Sequence, residues 1–237
     1  MVHKLVDVYR EYGLVLGLFY GIDRTLQRLS SRLRLFVYQI MVQPITDKPL
    51  LPERFAKRIE MREIKRGDPE VALMPARTEI KEARFAQNAV CLGAYRDGRL
   101  IGYLWFCYAR YEEDEARCTY LVAPQSEAIF DYDFYIFPEH RMGFAFAGIW
   151  HGANQYLRDR GIRYTFSRLT RFNLASKRAH ERLGCKSVGN VLFFQLGFVQ
   201  LMAGTIWPFV HLSVSPSQRP RLRLRPAAPH RRYRWQI

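Results

Sequence analysis

Acidic residues stop at Glu181. None follows it up to Ile237, and across the 237 residues Lys and Arg number 37 against 22 Asp and Glu, a net charge of +15. A field of that sign disfavours polycationic partners and favours anionic ones, whether phosphates, nucleic acid or lipid headgroups. Cysteine is scarce as well. Cys91, Cys107, Cys118 and Cys185 show no CxxC spacing, and three of them stand in apolar, strand-like text. That argues against a zinc site or a disulfide scaffold and fits a reducing cytoplasm. No metal is expected. The start, MVHKLVDVYREYGLVLGLFYGID, has acidic residues where a secretory signal would be basic and no small-residue cleavage pattern, so a signal peptide is not expected. Its apolar run is shorter than the roughly 20 residues that a spanning helix needs. Val191 to Val214 lacks Lys, Arg, Asp and Glu, but Gly197, Gly204 and Pro208 interrupt it and argue against one membrane helix there.

What is present is enough for a core. Hydrophobic residues make up 49% and aromatics 14%, which excludes general disorder. The length suits one large domain with appended segments. Residues 1–50 read as a helical arm. Leu26, Leu29, Leu33 and Val37 form one stripe at helical spacing and Arg24, Arg28 and Arg32 another, an amphipathic pattern suited either to packing on the domain or to lying on an anionic membrane. PITDKPLLP then reads as a linker. Residues 51–214 read as the domain proper, and residues 215–237, with seven arginines and four prolines, as a polybasic flexible tail. Each basic residue of such a tail contributes about 1 kcal/mol near an anionic lipid surface. Nucleic-acid binding lacks a recognition motif and is not expected.

Within the domain the pattern is α/β. RTEIKEARFAQ reads as a helix, and AVCLGAY and LIGYLWFCYARY as strands joined at Asp97 and Gly98, a strong hairpin signal. The acidic run EEDE precedes another strand, and IFDYDFYIFP follows it. MGFAFAGIWHGANQYLRDRG reads as a helix ended by Gly161, IRYTFSRL as a strand, and LASKRAHERLG as a helix ended by Gly184. VGNVLFFQLGFVQL closes with strand text. The expectation is a mixed central sheet with helices packed on it.

Two segments carry chemistry. In PEHRMGFAFAG, Gly143 and Ala145 let backbone approach a ligand at a helix start, where free N–H groups make an anion cradle. In RFNLASKRAHERLGC, Asn173 caps the helix, and His180 shares a face with Ser176. Both also make sense as plain helix design.

Together they resemble the GNAT superfamily of acyl-CoA-dependent N-acetyltransferases, over roughly residues 59–198. FYIFPEHRMGFAFAG is similar to the family's V-x-P-x-x-R/Q-x-x-G-x-G/A segment in two parts: Ile136 and Pro138 match V-x-P, and Gly143 and Ala145 match the last two positions, with His140 in the usual Arg or Gln slot counted back from Gly143 and Arg141 one residue later. Asn173, Ser176 and Gly184 match the family's N-x-x-A/S-x-x-x-Y-x-x-x-G, with His180 where tyrosine is usual. The resemblance implies an α/β fold whose neighbouring parallel strands, 130–137 and 163–169, splay apart. Backbone of Phe134, Tyr135 and Ile136 would then pair with pantetheine, and the diphosphate would rest on amides of Arg141, Met142, Gly143, Phe144, Ala145 and Phe146. Asn173 and Ser176 complete the binding set. Acetyl-CoA or a longer acyl-CoA is the implied cosubstrate and an amine the acceptor.

The chemistry needs a proton acceptor for the amine and a donor for the departing thiolate. Asp133, then Asp131, are the candidate bases, expected on one side of their strand as the only acids of the cleft wall; a solvated role or a water relay are the alternatives. His180 is the candidate donor, or else a helix-surface residue. Cys185 as a nucleophile is disfavoured because it opens an apolar strand. Arg168 and Arg171 are candidates to face an anionic acceptor. The apolar and basic flanks point to work at the inner membrane face, on an amine-bearing lipid or cell-envelope sugar intermediate. The competing expectation is a GNAT-like module without catalysis, binding anionic membranes or nucleic acid.

Overall fold

LRLFVYQIMVQP is rich in β-branched and aromatic residues, the side chains that fit a pleated, buried surface. In the computed structural model, which describes residues 2–30 and 32–226, it forms strand β1 (Leu33–Pro44) at the centre of the sheet, with Tyr38, Ile40 and Met41 almost wholly buried. The arm expected over residues 1–50 is therefore a helix only in its first part, α1 (Val2–Leu29), which is broken at Gly13 by a positive φ of 71°. The stripe from Leu26 to Val37 does not continue as a helix. A separation of four places Leu33 and Val37 on one face of a strand as well as of a helix, so their spacing could not separate the two.

The remaining elements follow in order. They are α2 (Glu53–Ala56), β2 (Glu60–Ile64), α3 (Glu70–Leu73), α4 (Thr78–Ala86), β3 (Val90–Arg96), β4 (Arg99–Tyr108), β5 (Arg110–Glu112), β6 (Thr119–Val122) and β7 (Ala128–Ile136). After β7 come α5 (Ala145–Arg158), β8 (Tyr164–Thr170), α6 (Leu174–Arg182), β9 (Lys186–Leu196), β10 (Val199–Gly204), β11 (Val210–Ser213) and β12 (Arg221–Leu224). Asp97 and Gly98 turn β3 into β4 with φ of 51° and 74°, the positive values that a tight hairpin requires.

Nine strands make one mixed sheet in the order β11-β10-β9-β1-β8-β7-β4-β3-β2, in which only β7 and β8 run parallel. Helices α5, α6 and α1 lie on one face. Trp150, Ala153 and Leu157 of α5 meet Leu104, Phe106 and Ile129 there. The other face carries α4 and a small sheet, β12-β6-β5, over a layer of stacked rings from Tyr111, Tyr120, Phe130 and Tyr132. Strand β12 comes from the segment expected to be flexible: Arg221–Leu224 pairs in parallel with Thr119–Val122, and Leu222 and Leu224 are fully buried. Alternation of Leu and Arg there is a half-buried strand pattern. The rest of that tail, 227–237, lies outside the described residues.

Because β1 is central, the first fifty residues are not a removable arm. Ile40→Ala is expected to lower unfolding free energy by about 2–5 kcal/mol through lost burial and a residual cavity, read from urea midpoints, and a chain lacking residues 1–50 should lose cooperative unfolding. A truncated chain that unfolds cooperatively would contradict the placement of β1.

Candidate functional site: an open strand edge and a cradle of amides

Strands β7 and β8 pair only from Ala128↔Tyr164 to Asp131↔Ser167. Beyond that β8 stays paired with β1, as far as Tyr38↔Thr170, and β7 stays paired with β4, as far as Gly102↔Ile136. Each strand is thus held on its outer side while the two part between them, and a wedge opens. The Phe137 N–H donates to Ile101 O on the β4 side, so by strand alternation Ile136 turns its own N–H and C=O into the wedge. The Ile136 carbonyl accepts from Arg141 Nε at 3.0 Å.

At the wedge β7 carries a bulge. Tyr103 pairs with Tyr135 and Trp105 with Tyr132, leaving Asp133 and Phe134 opposite the single Leu104, and Asp133 takes a φ of 49°. Such bulges re-aim side chains beside sites. Here Tyr132 and Asp133 both face α4: Arg84 binds the Asp133 carboxylate through Nη1, lies 5.2 Å from the Tyr132 ring and pairs with Asp114 at 2.7 Å. Asp131 points to the opposite face, where it is buried and accepts a hydrogen bond from the Thr165 hydroxyl. The two aspartates expected on one side are therefore split by the bulge, which breaks the two-residue alternation. They are also not the only acids near the wedge.

The acidic run after β5 folds back onto β8. Arg168 reaches Glu113 at 2.6 Å and Glu115 at 3.0 Å, and the Tyr38 hydroxyl donates to Glu115 at 2.8 Å. Burial raises the Glu113 pKa against the pull of Arg168. Arg168 is thus neutralised by two carboxyls and is not free for an anionic acceptor, and Arg171 donates to Asn190 Oδ1 at 2.8 Å. On this side of the wedge four carboxyls, Glu113, Asp114, Glu115 and Asp133, meet two guanidiniums, Arg84 and Arg168. Arg84 had no local signal in the sequence: its partners are 30 and 49 residues away.

The loop after β7 leads through Pro138–His140 and a glycine at φ 92°, Gly143, into α5. Arg96 approaches His140 Nδ1 at 3.0 Å, so this ring leans on the β3–β4 hairpin. Among the described residues no acceptor pairs with the amides of Met142, Gly143, Phe144, Ala145, Phe146 and Ala147, the next one, Gly148, bonding back to Phe144 O. Six consecutive unpaired donors thus run from the turn into the first residues of the 14-residue helix α5, a donor arrangement whose chemistry suits an anion. Asn173 is exposed and caps α6, its Oδ1 accepting from the Ser176 N–H at 3.0 Å.

His180 is buried between α6 and α5, 5.7 Å from the Phe146 ring and 6.1 Å from Trp150. Its Nδ1 lies 2.8 Å from Ser176 O. A carbonyl only accepts, so Nδ1 carries the proton, and in the neutral ring Nε2 bears a lone pair. Burial lowers its pKa, which favours that neutral form. The ring as placed is an acceptor at Nε2, contrary to the donor role expected from the sequence. Cys185 donates to Gln43 Oε1 at 3.1 Å, and burial pushes its thiol pKa up, which suits a structural thiol rather than a nucleophile.

The family described as acetyltransferase (GNAT) matches residues 58–185 of this chain. No curated protein matches. Among solved structures, a conserved protein of unknown function from Staphylococcus epidermidis aligns with 14% identity over 78% of this chain and 68% of its own, TM-score 0.48. A tandem GNAT protein from the clavulanic acid biosynthesis pathway aligns with 16% identity over 68% of this chain and 53% of its own, TM-score 0.45. A putative GNAT-family acetyltransferase from Novosphingobium aromaticivorans shows 15% identity over 68% of this chain and 64% of its own, TM-score 0.41.

Burial raises the Asp131 pKa from 3.8 to about 7, the Thr165 bond only partly opposing it. Between these values the unfolded chain has lost a proton that the folded one keeps, so stability is expected to fall as pH rises from about 4 to about 7 and then level off. Asp131→Asn should flatten that slope and raise stability at pH 8 by as much as roughly 4 kcal/mol, read from urea midpoints across the range. An unchanged slope would show that Asp131 is not held neutral by burial.

Proposed function

The chain belongs to the acetyltransferase (GNAT) family, and on that premise we propose that it is an acyl-CoA-dependent N-acyltransferase. In this reading it moves an acetyl or longer acyl group to the amine of a cell-envelope sugar or lipid intermediate, at the cytoplasmic face of the inner membrane. The observation that carries it is the run of unpaired amides from Met142 to Ala147 beside the open edge of β7. A diphosphate is the ligand chemistry that such a cradle suits, and a pantetheine chain is an amide-bearing strand substitute that suits the bare edge.

On binding, pantetheine takes the Ile136 N–H. Arg141 exchanges its bond to Ile136 O for the diphosphate beside it, one charge-assisted bond for a stronger one. Asn173 and Ser176 close the far side from α6. The thioester then lies by Asp133 and Phe134, at the point where the strands part. The amine nitrogen forms a bond to the acyl carbon, the carbon–sulfur bond breaks with its electron pair on sulfur, and the amine proton passes to Asp133, directly or through water. Asp131, turned to the opposite face, serves as a buried proton-holding group of the scaffold. His180 seats α6 against α5. The surplus of carboxyls around Arg84 and Arg168 draws an acceptor that arrives as a cation.

The test measures release of free thiol from a panel of acyl-CoAs with amine acceptors, with mass spectrometry of a cell-envelope extract to identify the product. Gly143→Val, which puts a side chain on a residue at φ 92°, is expected to raise KM for acyl-CoA about ten-fold with little effect on kcat. Asp133→Asn tolerates the same backbone and is expected to lower kcat about 100-fold, with activity recovering at high pH where the amine is already neutral. Absence of CoA binding at millimolar ligand would sink the reading. Binding without thiol release on any acceptor would favour a GNAT-like binding module instead.

A further inference from the structure

The sheet ends in a face that its own helices do not cover. Rows of the ladder run Leu35, Phe194, Leu201, Leu212 and Val37, Leu192, Ala203, Val210 across β1, β9, β10 and β11. Every residue of both rows is apolar and all share the face on which α1 packs. At β1 the rows are buried, with Val37 lying beside Leu16 and Phe19 of α1. At the outer strands they are not: Leu201 is 41%, Leu212 57% and Val210 66% exposed. The opposite side of the same strands is covered, Gln200 being wholly buried against Arg117 and Met202 packed in the core. Beside the bare rows, α1 turns Leu14, Val15, Leu18 and Ile22 outward. The loops at the two ends of β10 add Phe198, Trp207 and Phe209, all more than half exposed.

We propose that this composite face, the outer side of α1 with the bare side of β9, β10 and β11, docks on an anionic lipid bilayer. Contiguous apolar surface on this scale marks an interaction site. Its aromatic fringe has the composition of a membrane interface, where rings sit at headgroup level. Charge selects the occupant. Arg24 and Arg28 are exposed along the C-terminal end of α1 and Arg32 in the turn after it, and Asp23, the acid among them, is buried and paired with Gln27. No acidic residue exists anywhere after Glu181. A second copy would bring another +15 against the same face, which opposes self-association. Residues 227–237 hold His230, Arg231, Arg232 and Arg234 together with Tyr233, Trp235 and Ile237, a basic and aromatic composition suited to the same anionic surface. No described helix is long and apolar enough to cross a membrane, so the contact lies in the interface plane.

The face adjoins the wedge. Tyr20 of α1 meets Phe172 edge-to-face at 5.5 Å, one residue before the cap Asn173. A docked molecule therefore holds the start of α6, and with it the wedge mouth, near the headgroup layer. The inference stands on the surface and does not depend on the transferase reading.

The full-length protein is tested by sedimentation with phosphatidylcholine vesicles, with and without roughly one third phosphatidylglycerol. Binding is expected to the anionic vesicles alone and to weaken with salt. Leu201→Glu with Leu212→Glu, both at exposed positions, should lower binding about ten-fold while leaving the melting temperature and the circular dichroism spectrum unchanged. In a Trp235→Phe chain, which removes the tryptophan of the arginine-rich tail, Trp207 should be quenched by bromine-labelled lipid tails, and the quenching should vanish when Trp207→Tyr is added. The proposal is overturned by absence of binding, by binding that the glutamates leave intact, or by unquenched Trp207. It is equally overturned by a lipid-independent dimer in light scattering that the glutamates dissolve, since the face would then belong to a second copy.

Discussion

The ladder between β7 and β8 stops at Asp131 and Ser167, and much of the molecule acts to keep it from continuing. A strand edge with free N–H and C=O groups tends to find a partner, so two parallel neighbours part only if something stronger holds each outer side. For β8 that hold is β1, which pairs with it from Tyr164 to Thr170 and then with β9 along nearly its whole length. For β7 it is β4, assisted by the bulge at Asp133, whose strained backbone is secured by Arg84 from α4. Arg84 is in turn fixed by Asp114 and by the faces of Trp105 and Tyr132. One ion-paired arginine thus joins the bulge, the acidic run and a helix, and removing it leaves two part-buried carboxylates without that partner.

The charge of the molecule is divided by place. The chain as a whole is strongly basic, yet the side of the wedge facing α4 gathers four carboxyls around two guanidiniums. The opposite approach, at the start of α5, offers bare amides and Arg141. A thioester donor with a diphosphate and an amine acceptor are opposite in charge, and the two sides of the wedge differ in the same sense. The free amides are backbone groups and need no side chain; Gly143 supplies the positive φ of the turn, and Ala145 fits in the core against Ala94, Ile101 and Ile149.

Much of this was legible in the sequence, and the rest was hidden for identifiable reasons. The helix ended by Gly161, the cap at Asn173, the hairpin at Asp97 and the glycine turn before α5 all depend on residues within a few positions of one another, so local text reports them. Strand β1 was obscured because four-residue spacing suits both periods, and the aromatic and β-branched run from Phe36 to Val42 was the better signal. The split of Asp131 from Asp133 depends on one extra residue in a ladder with β4, which alternation within β7 cannot reveal. Arg84 and the acids Glu113, Asp114 and Glu115 are matched across long separations, and β12 takes its place by pairing with β6. His180 occupied the expected position, but its tautomer follows from a bond to Ser176 O that depends on the ring's orientation.

Placement of α1 ties these parts together. As a detached arm it would add an amphipathic helix near the domain and nothing more. Instead it follows directly into β1, so the segment that lies on the outer apolar face also supplies the strand that holds β8 away from β7. Its other contact, Tyr20 on Phe172, falls on the turn that starts α6. Force applied to α1 by a surface therefore reaches both the strand behind the wedge and the helix that closes its mouth, through packed groups and without a long path. One element's position thus bears on the outer apolar face, the strand behind the wedge and the turn that starts α6.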